Sequence, residues 1–148
     1  MQASDLMGTD IVTIGPESTI REAARAMLTH KVSALPVVND AEELVGILTH
    51  DDFGLHPHYR PLAENLYTLL GASTTPEHLE EVSHQVGHKL VKDVMRRPVV
   101  TVEANASIAD LTALMLREHI HRVPVLRDNK LVGIITRHDF LKLIAGPD

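Results

Sequence analysis

The apolar and polar positions of this chain form a pattern that occurs twice. Leu131-Val132-Gly133-Ile134-Ile135 is an apolar run closed by Thr136, with Asp139 three residues further on. The earlier run Leu44-Val45-Gly46-Ile47-Leu48 is closed by Thr49, with Asp52 three residues on. Across Leu44–Phe53 and Leu131–Phe140, seven of ten positions are identical. An apolar run ending in Thr-x-x-Asp reads as a buried strand turning directly into a helix. The first-turn N–H groups of such a helix have no backbone partners, which makes the junction suited to a phosphorylated ligand.

The repeat is wider than this signature. Thr13 and Thr101 lie 88 apart, as do Met27 and Met115, and Pro36 and Pro124, whereas Gly46 and Gly133 lie 87 apart. The one-residue change falls between Asn39–Glu43 and Arg127–Lys130, a polar turn where a hairpin tolerates it. Within each copy, Ile11–Ile14 and Val99–Val102 are β-branched and predict short strands. Thr19 with Glu22, and Ser107 with Asp110, resemble capping boxes that open helices. Those helices carry apolar residues at Ile20, Ala23, Ala24, Met27 and Leu28, and at Ile108, Leu111, Met115 and Leu116, spacings that bury one face. Ala34–Val38 and Arg122–Leu126 follow as strands, each containing a proline that predicts a sheet border. Each copy therefore reads β-α-β-β-α, an α/β (α+β) class. Two such copies can cover each other's sheets about a pseudo-twofold axis, which one copy of about 45 residues cannot do alone.

The boundaries that follow are 1–53 for the first repeat, 54–92 for an insertion and 93–148 for the second repeat. In the insertion, Leu62, Leu66, Leu69 and Leu70 predict a short amphipathic helix. Thr75-Pro76 predicts an N-cap with proline in the first helical position, opening a helix to about Gly87. The insertion is expected to pack on the module or on a partner.

Composition narrows the function classes. The net charge of −6 and 3% aromatic content disfavour nucleic-acid binding, which needs a basic face or stacking platforms. No apolar run approaches the roughly 20 residues of a membrane-spanning helix. Met1-Gln2-Ala3-Ser4-Asp5 lacks the basic and apolar regions of a secretory leader, so the cytoplasm is the default expectation. Cysteine is absent, which removes disulfides and thiolate metal sites.

The element order, the duplicated Gly-h-h-Thr-x-x-Asp-Phe (h apolar), the h-Pro-Val strands and the Asp93-Val94-Met95 lead-in together resemble a tandem pair of CBS domains, also called a Bateman module. The resemblance covers roughly 3–53 and 90–145. It implies a regulatory sensor rather than an enzyme. The implied ligands are adenosine-containing: AMP, ADP or ATP first, with S-adenosylmethionine or NAD as alternatives. They would bind in clefts between the copies. It also implies a homodimer and an unknown effector protein that responds to conformational change.

The resemblance places ligand contacts at Thr13, Ala34, Pro36, Thr49 and Asp52 in the first copy. In the second it places them at Arg96, Arg97, Thr101, His121, Arg122, Pro124, Thr136 and Asp139. Asp52 and Asp139 would accept hydrogen bonds from ribose hydroxyls, a task for an acceptor-only group. The same residues at the third helical position also stabilise the helix start, and the two roles are compatible. Thr49 and Thr136 are expected to cap. His121, Arg122, Arg96 and Arg97 would face phosphates, where the arginine fork is well matched. The first copy has Ser33, Ala34, Gly8 and Thr9 at the corresponding positions, which predicts an asymmetric pair with one cleft favouring a phosphorylated ligand.

Other chemistry is thin. The ten histidines include His56-Pro57-His58, His119-Ile120-His121 and the i,i+4 pair His84 and His88. Two imidazoles can share a metal, but no carboxylate or cysteine completes a recognisable site, so no metal and no required cofactor is expected. No P-loop, G-x-G-x-x-G or nucleophile elbow is present, so no catalytic residues are assigned. Two alternatives remain: an interaction scaffold whose clefts are empty or filled by side chains, and a metal-binding or hydrolytic protein using the histidines.

Overall fold

The computed structural model describes residues 1–53 and 76–146. In chain order they form α1 (Ala3–Leu6), α2 (Ile20–His30), β1 (Ala34–Val38), β2 (Leu44–Thr49), α3 (Pro76–Gly87), α4 (Val91–Val94), β3 (Val102–Glu103), α5 (Ile108–Glu118), β4 (Arg122–Arg127), β5 (Lys130–Thr136) and α6 (Leu141–Ala145). Short 3-10 turns at His50–Phe53 and Arg137–Phe140 follow β2 and β5. The helix expected from Leu62 to Leu70 and the N-cap expected at Thr75 lie outside the described residues.

The helices start and stop where their chemistry requires. Thr19 Oγ1 accepts the N–H of Glu22 at 3.2 Å, and Ser107 Oγ accepts that of Asp110 at 3.1 Å. Each hydroxyl satisfies an orphan first-turn donor. At the other ends Lys31 and His119, equivalent in the repeat, both adopt φ 53, ψ 44. This left-handed turn lets their N–H groups reach the carbonyls of Met27 and Met115.

Two compact units emerge. One comprises Met1–Ile11, Glu42–Leu44 and Val100–Asp148, here the C unit; the other comprises Val12–Ala41 and Val45–Val99, here the N unit. The C unit buries Ala3, Leu6, Ala104, Leu111, Met115, Val123, Val125 and Ile135. The N unit buries Ile20, Ala23, Met27, Leu35, Val37, Leu48, Val86 and Val91. Each core thus takes residues from the opposite copy's lead-in: Ala3 and Leu6 sit with the second repeat, Val91 with the first.

Backbone pairing fixes these lead-ins. Gly8 and Ile134 exchange N–H···O=C bonds of 2.9 and 3.1 Å, and Arg96 and Ile47 do the same at 2.9 and 3.1 Å. The glycines of the duplicated signature make room for them. A Cβ at Gly46 would collide with the Met95 side chain, and one at Gly133 with that of Met7.

In the C unit β3 runs parallel to β4, and β4 antiparallel to β5 with Pro124 opposite Ile134. Pro124 was expected at a sheet border but lies mid-strand and buried. The reason is register: Ile134 turns its own N–H and C=O away from β4, toward Gly8. Pro124 therefore faces it as a non-hydrogen-bonded pair, and its missing N–H costs no bond between β4 and β5. The β-branched runs also pair less than expected. From Ile11–Ile14 only Ile14 bridges, to Val37, and from Val99–Val102 only Val102 enters a strand. These residues favour extended backbone, but the parallel partner spans only a couple of positions.

The described part of the insertion packs on the module. Val86 of α3 is 7% exposed in the N-unit core, and Arg21 Nη2 of α2 lies 3.4 Å from His84 Nδ1.

Candidate functional site

Each Thr-x-x-Asp segment makes a tight junction at the end of the second hairpin strand. In the N unit the Thr49 N–H donates to Asp52 Oδ2 at 2.7 Å, and the Thr49 hydroxyl lies 3.5 Å from the same oxygen. In the C unit the Thr136 N–H donates to Asp139 Oδ2 at 2.8 Å, with the hydroxyl at 3.3 Å. The threonines were expected to cap, and Thr136 does: its side chain with the Asp139 N–H, and its own N–H with the Asp139 carboxylate, form the two halves of a capping box. At Thr49 the aspartate likewise accepts the strand's last N–H. A 3-10 turn, tighter than an α-helix, brings the residue-139 carboxylate back onto its own strand end.

A second backbone bond draws in the preceding segment. The N–H of His50 donates to the Ser33 carbonyl at 2.9 Å, and that of Arg137 to the His121 carbonyl at 3.1 Å. Arg122 is the register partner of Thr136. The C unit therefore gathers His121, Arg122, Thr136, Arg137 and Asp139, with Thr101 directly ahead of β3 and Pro124 buried in β4. The corresponding N-unit set is Ser33, Ala34, Thr49, His50 and Asp52, with Pro36 buried in β1 and Thr13 exposed. Of the four basic residues read together from sequence, His121 and Arg122 fall in the C unit, and Arg96 and Arg97 in the N unit.

Arg96 has a defined partner. Its Nε donates to Asp52 Oδ1 at 2.9 Å; the Asp52 side chain is fully buried and that of Arg96 is 35% exposed. Asp139 Oδ1 is met instead by Lys142 Nζ at 2.9 Å, from a side chain 56% exposed, while Asp139 keeps 12% exposure. Lys142 also donates to the Leu6 carbonyl at 3.2 Å. Sequence reading missed Lys142, although its position three residues after Asp139 on a helix was a usable signal. Arg96 sits 44 residues from Asp52 and offered none.

Each unit also carries an open cavity. An open cavity of about 520 Å³ in the C unit is lined by Thr112, Met115, Leu116, His119, Ile120, His121, Arg137 and Phe140. It adjoins the junction through His121 and Arg137 without including Asp139. In the N unit a cavity of about 650 Å³ carries Glu17, Glu22 and Asp40 and lies at the hairpin turn Asn39–Ala41, the end of β1 and β2 away from Thr49 and Asp52. An anion is attracted to the first and repelled by the second.

Among the described residues no group of three or more His, Cys, Asp or Glu side chains could hold a metal ion. His84 and His88 do meet, with Nε2 atoms 2.9 Å apart. No helix among the described residues is long and apolar enough to cross a membrane.

Comparison with known proteins agrees with this architecture. The family model for the CBS domain matches residues 3–53 and 91–146. The CBS domain-containing protein YhcV of Bacillus subtilis is 33% identical over 135 residues, 91% of this chain and 79% of that protein. Inosine-5'-monophosphate dehydrogenase of Methanocaldococcus jannaschii is 31% identical over 142 residues, 95% of this chain but 23% of the dehydrogenase. The chain likewise spans only 40% of an uncharacterized protein from the same organism. Among solved structures, the CBS domain NE2398 aligns with a TM-score of 0.73 at 28% identity, covering 99% of this chain and 98% of that one. CBSX2, solved in complex with AMP, aligns with a TM-score of 0.71 at 24% identity, covering 97% and 96%.

Proposed function

Because this chain belongs to the CBS-domain family, we propose that it is a regulatory module that senses an adenosine-containing ligand, with AMP, ADP or ATP favoured, and catalyses no reaction itself. One observation carries this reading. The Asp139 carboxylate is fixed at the end of β5 by the Thr136 N–H, keeps part of its surface accessible, and stands in the same junction as His121, Arg122 and Arg137. A carboxylate accepts from both ribose hydroxyls, and guanidinium groups complement phosphate. A protein of the same fold has been solved with AMP, which supports a nucleotide as the ligand class. The guanidinium groups of Arg122 and Arg137 beside this junction favour the phosphorylated members of that class.

Signalling follows from linkage: a ligand held more tightly in one arrangement of the protein raises the population of that arrangement. The output passes to a separate effector in the cytoplasm or through a homodimer. Leu28 and Leu116, 88 positions apart, are 80% and 72% exposed on α2 and α5 and offer apolar surface for a second copy.

The test is a thermal-shift panel of AMP, ADP, ATP, S-adenosylmethionine, NAD and adenosine on wild type and Asp139→Ala. A ligand at 100 times its Kd stabilises by about 2.7 kcal/mol. Stabilisation by one phosphorylated adenylate, lost in Asp139→Ala, is expected. A cooperative melt that no member of the panel moves would favour a ligand-free scaffold.

A further inference from the structure

The two junctions are built from the same residues yet differ at one backbone position. Arg96 exchanges both of its main-chain hydrogen bonds with Ile47 of β2; Gly8, its equivalent in the repeat, exchanges both with Ile134 of β5. The same point on the surface of each sheet thus carries a long cationic side chain in the N unit and none in the C unit. From that point Arg96 reaches Asp52 Oδ1 at 2.9 Å, while Thr49 holds Oδ2 at 2.7 Å, and the carboxylate has no accessible surface. Asp139 has no side chain to receive from Gly8. Its outer oxygen meets Lys142, whose side chain is 56% exposed and also donates to the Leu6 carbonyl, and 12% of its own side chain remains open.

These partners are not alike as competitors for a ligand. An exposed lysine ammonium on a flexible stem is held weakly and is readily displaced. A guanidinium anchored at its own backbone and paired with a fully buried carboxylate is not, because separating the pair leaves an uncompensated buried charge.

We propose that Arg96 closes the Asp52 junction, so that each chain takes a single adenine nucleotide, at Asp139, and that Gly8 is what keeps that second junction open. The inference rests on the adenylate-sensing reading. It makes position 8/96 the determinant of how many ligands the chain binds.

The position can be exchanged. A Cβ at Gly8 would have the Ile134 carbonyl oxygen as its nearest neighbour, at 3.8 Å, an ordinary contact. Gly8→Arg should therefore fold and place a guanidinium at the Asp139 junction. Calorimetric titration with AMP is expected to give one site per wild-type chain and the same for Gly8→Ala. Gly8→Arg should weaken binding by about 10- to 100-fold, the loss expected when a hydrogen bond to a charged group is denied to the ligand. Arg96→Gly should add a second site, removed again in Arg96→Gly/Asp52→Asn. Two sites in wild type, or unchanged affinity in Gly8→Arg, would overturn the proposal.

A ligand-free measurement separates its failure from that of the underlying reading. The ¹⁵N-edited signal of the Arg96 Nε–H should move in Asp52→Asn. If it moves but wild type and Arg96→Gly bind no AMP, ADP or ATP, the sensing reading falls and takes the stoichiometry with it. If it stays in place, the closure itself is refuted whatever the ligand does.

Discussion

Gly133 faces the side chain of Met7 so closely that a Cβ there would overlap the methionine, and Gly46 stands to Met95 in the same way. The glycine in each copy of the signature is thus a packing requirement imposed by the opposite copy's lead-in. Gly133→Ala is expected to lower stability by about 1–3 kcal/mol, the usual cost of overpacking. Urea denaturation would measure it. Pairing the change with Met7→Ala should recover part of the loss, since the clash is with that side chain; simple additivity of the two effects would show that the contact is not its source.

The ion pairs should rank by burial rather than by length. Asp52 is fully buried against Arg96, so Arg96→Ala is expected to destabilise by about 3–5 kcal/mol. Lys92 and Glu17 also meet at 3.0 Å but are 42% and 72% exposed. Glu17→Ala is therefore expected to change stability by less than about 1 kcal/mol. Chemical denaturation of both variants in parallel decides the ranking, and comparable effects would contradict the assigned burial.

The helix caps give a smaller and symmetric effect. Thr19→Ala and Ser107→Ala each remove an acceptor for a first-turn N–H. Each should cost about 1 kcal/mol, visible as a lower denaturation midpoint with an unchanged slope. Glycine at the same positions should cost only a few tenths of that.

Helix α3 is part of the N-unit core and not a detachable appendage. Val86→Ala removes two buried carbons beside α2, for a loss of roughly 2 kcal/mol. Hydrogen exchange should show protection in α2 reduced along with that in α3. Protection lost in α3 alone would mean that the two helices do not share a core.

Much of this architecture was legible in the sequence. The spans of α2, α5 and the hairpin strands follow from periodicity, capping residues and the duplicated signature, all of which are local. Asp52 and Asp139 were legible as residues with two compatible roles, and the structure displays the one that orders the turn. What escaped was non-local and carried by backbone. The bonds of Gly8 to Ile134 and of Arg96 to Ile47 have no side-chain signature, so the lead-ins were read with the copies they precede. Reading Arg96 with the copy it precedes, as the family match also does, grouped it with His121 and Arg122, although its partner is Asp52. The proline rule failed at Pro124 for a related reason, because whether a missing N–H matters depends on register.

The exchange of lead-ins bears on how such a chain arises and how it comes apart. A protein holding one copy could complete its core only by lending its first residues to a second molecule and borrowing that molecule's in return. Gene duplication would then have tied an already reciprocal dimer into one polypeptide. By the same logic, cutting the chain within the insertion at a point before Val91 yields two fragments, neither with its own padding. Each lacks what the other carries, so they should be poorly soluble when expressed apart and should reassemble when expressed together.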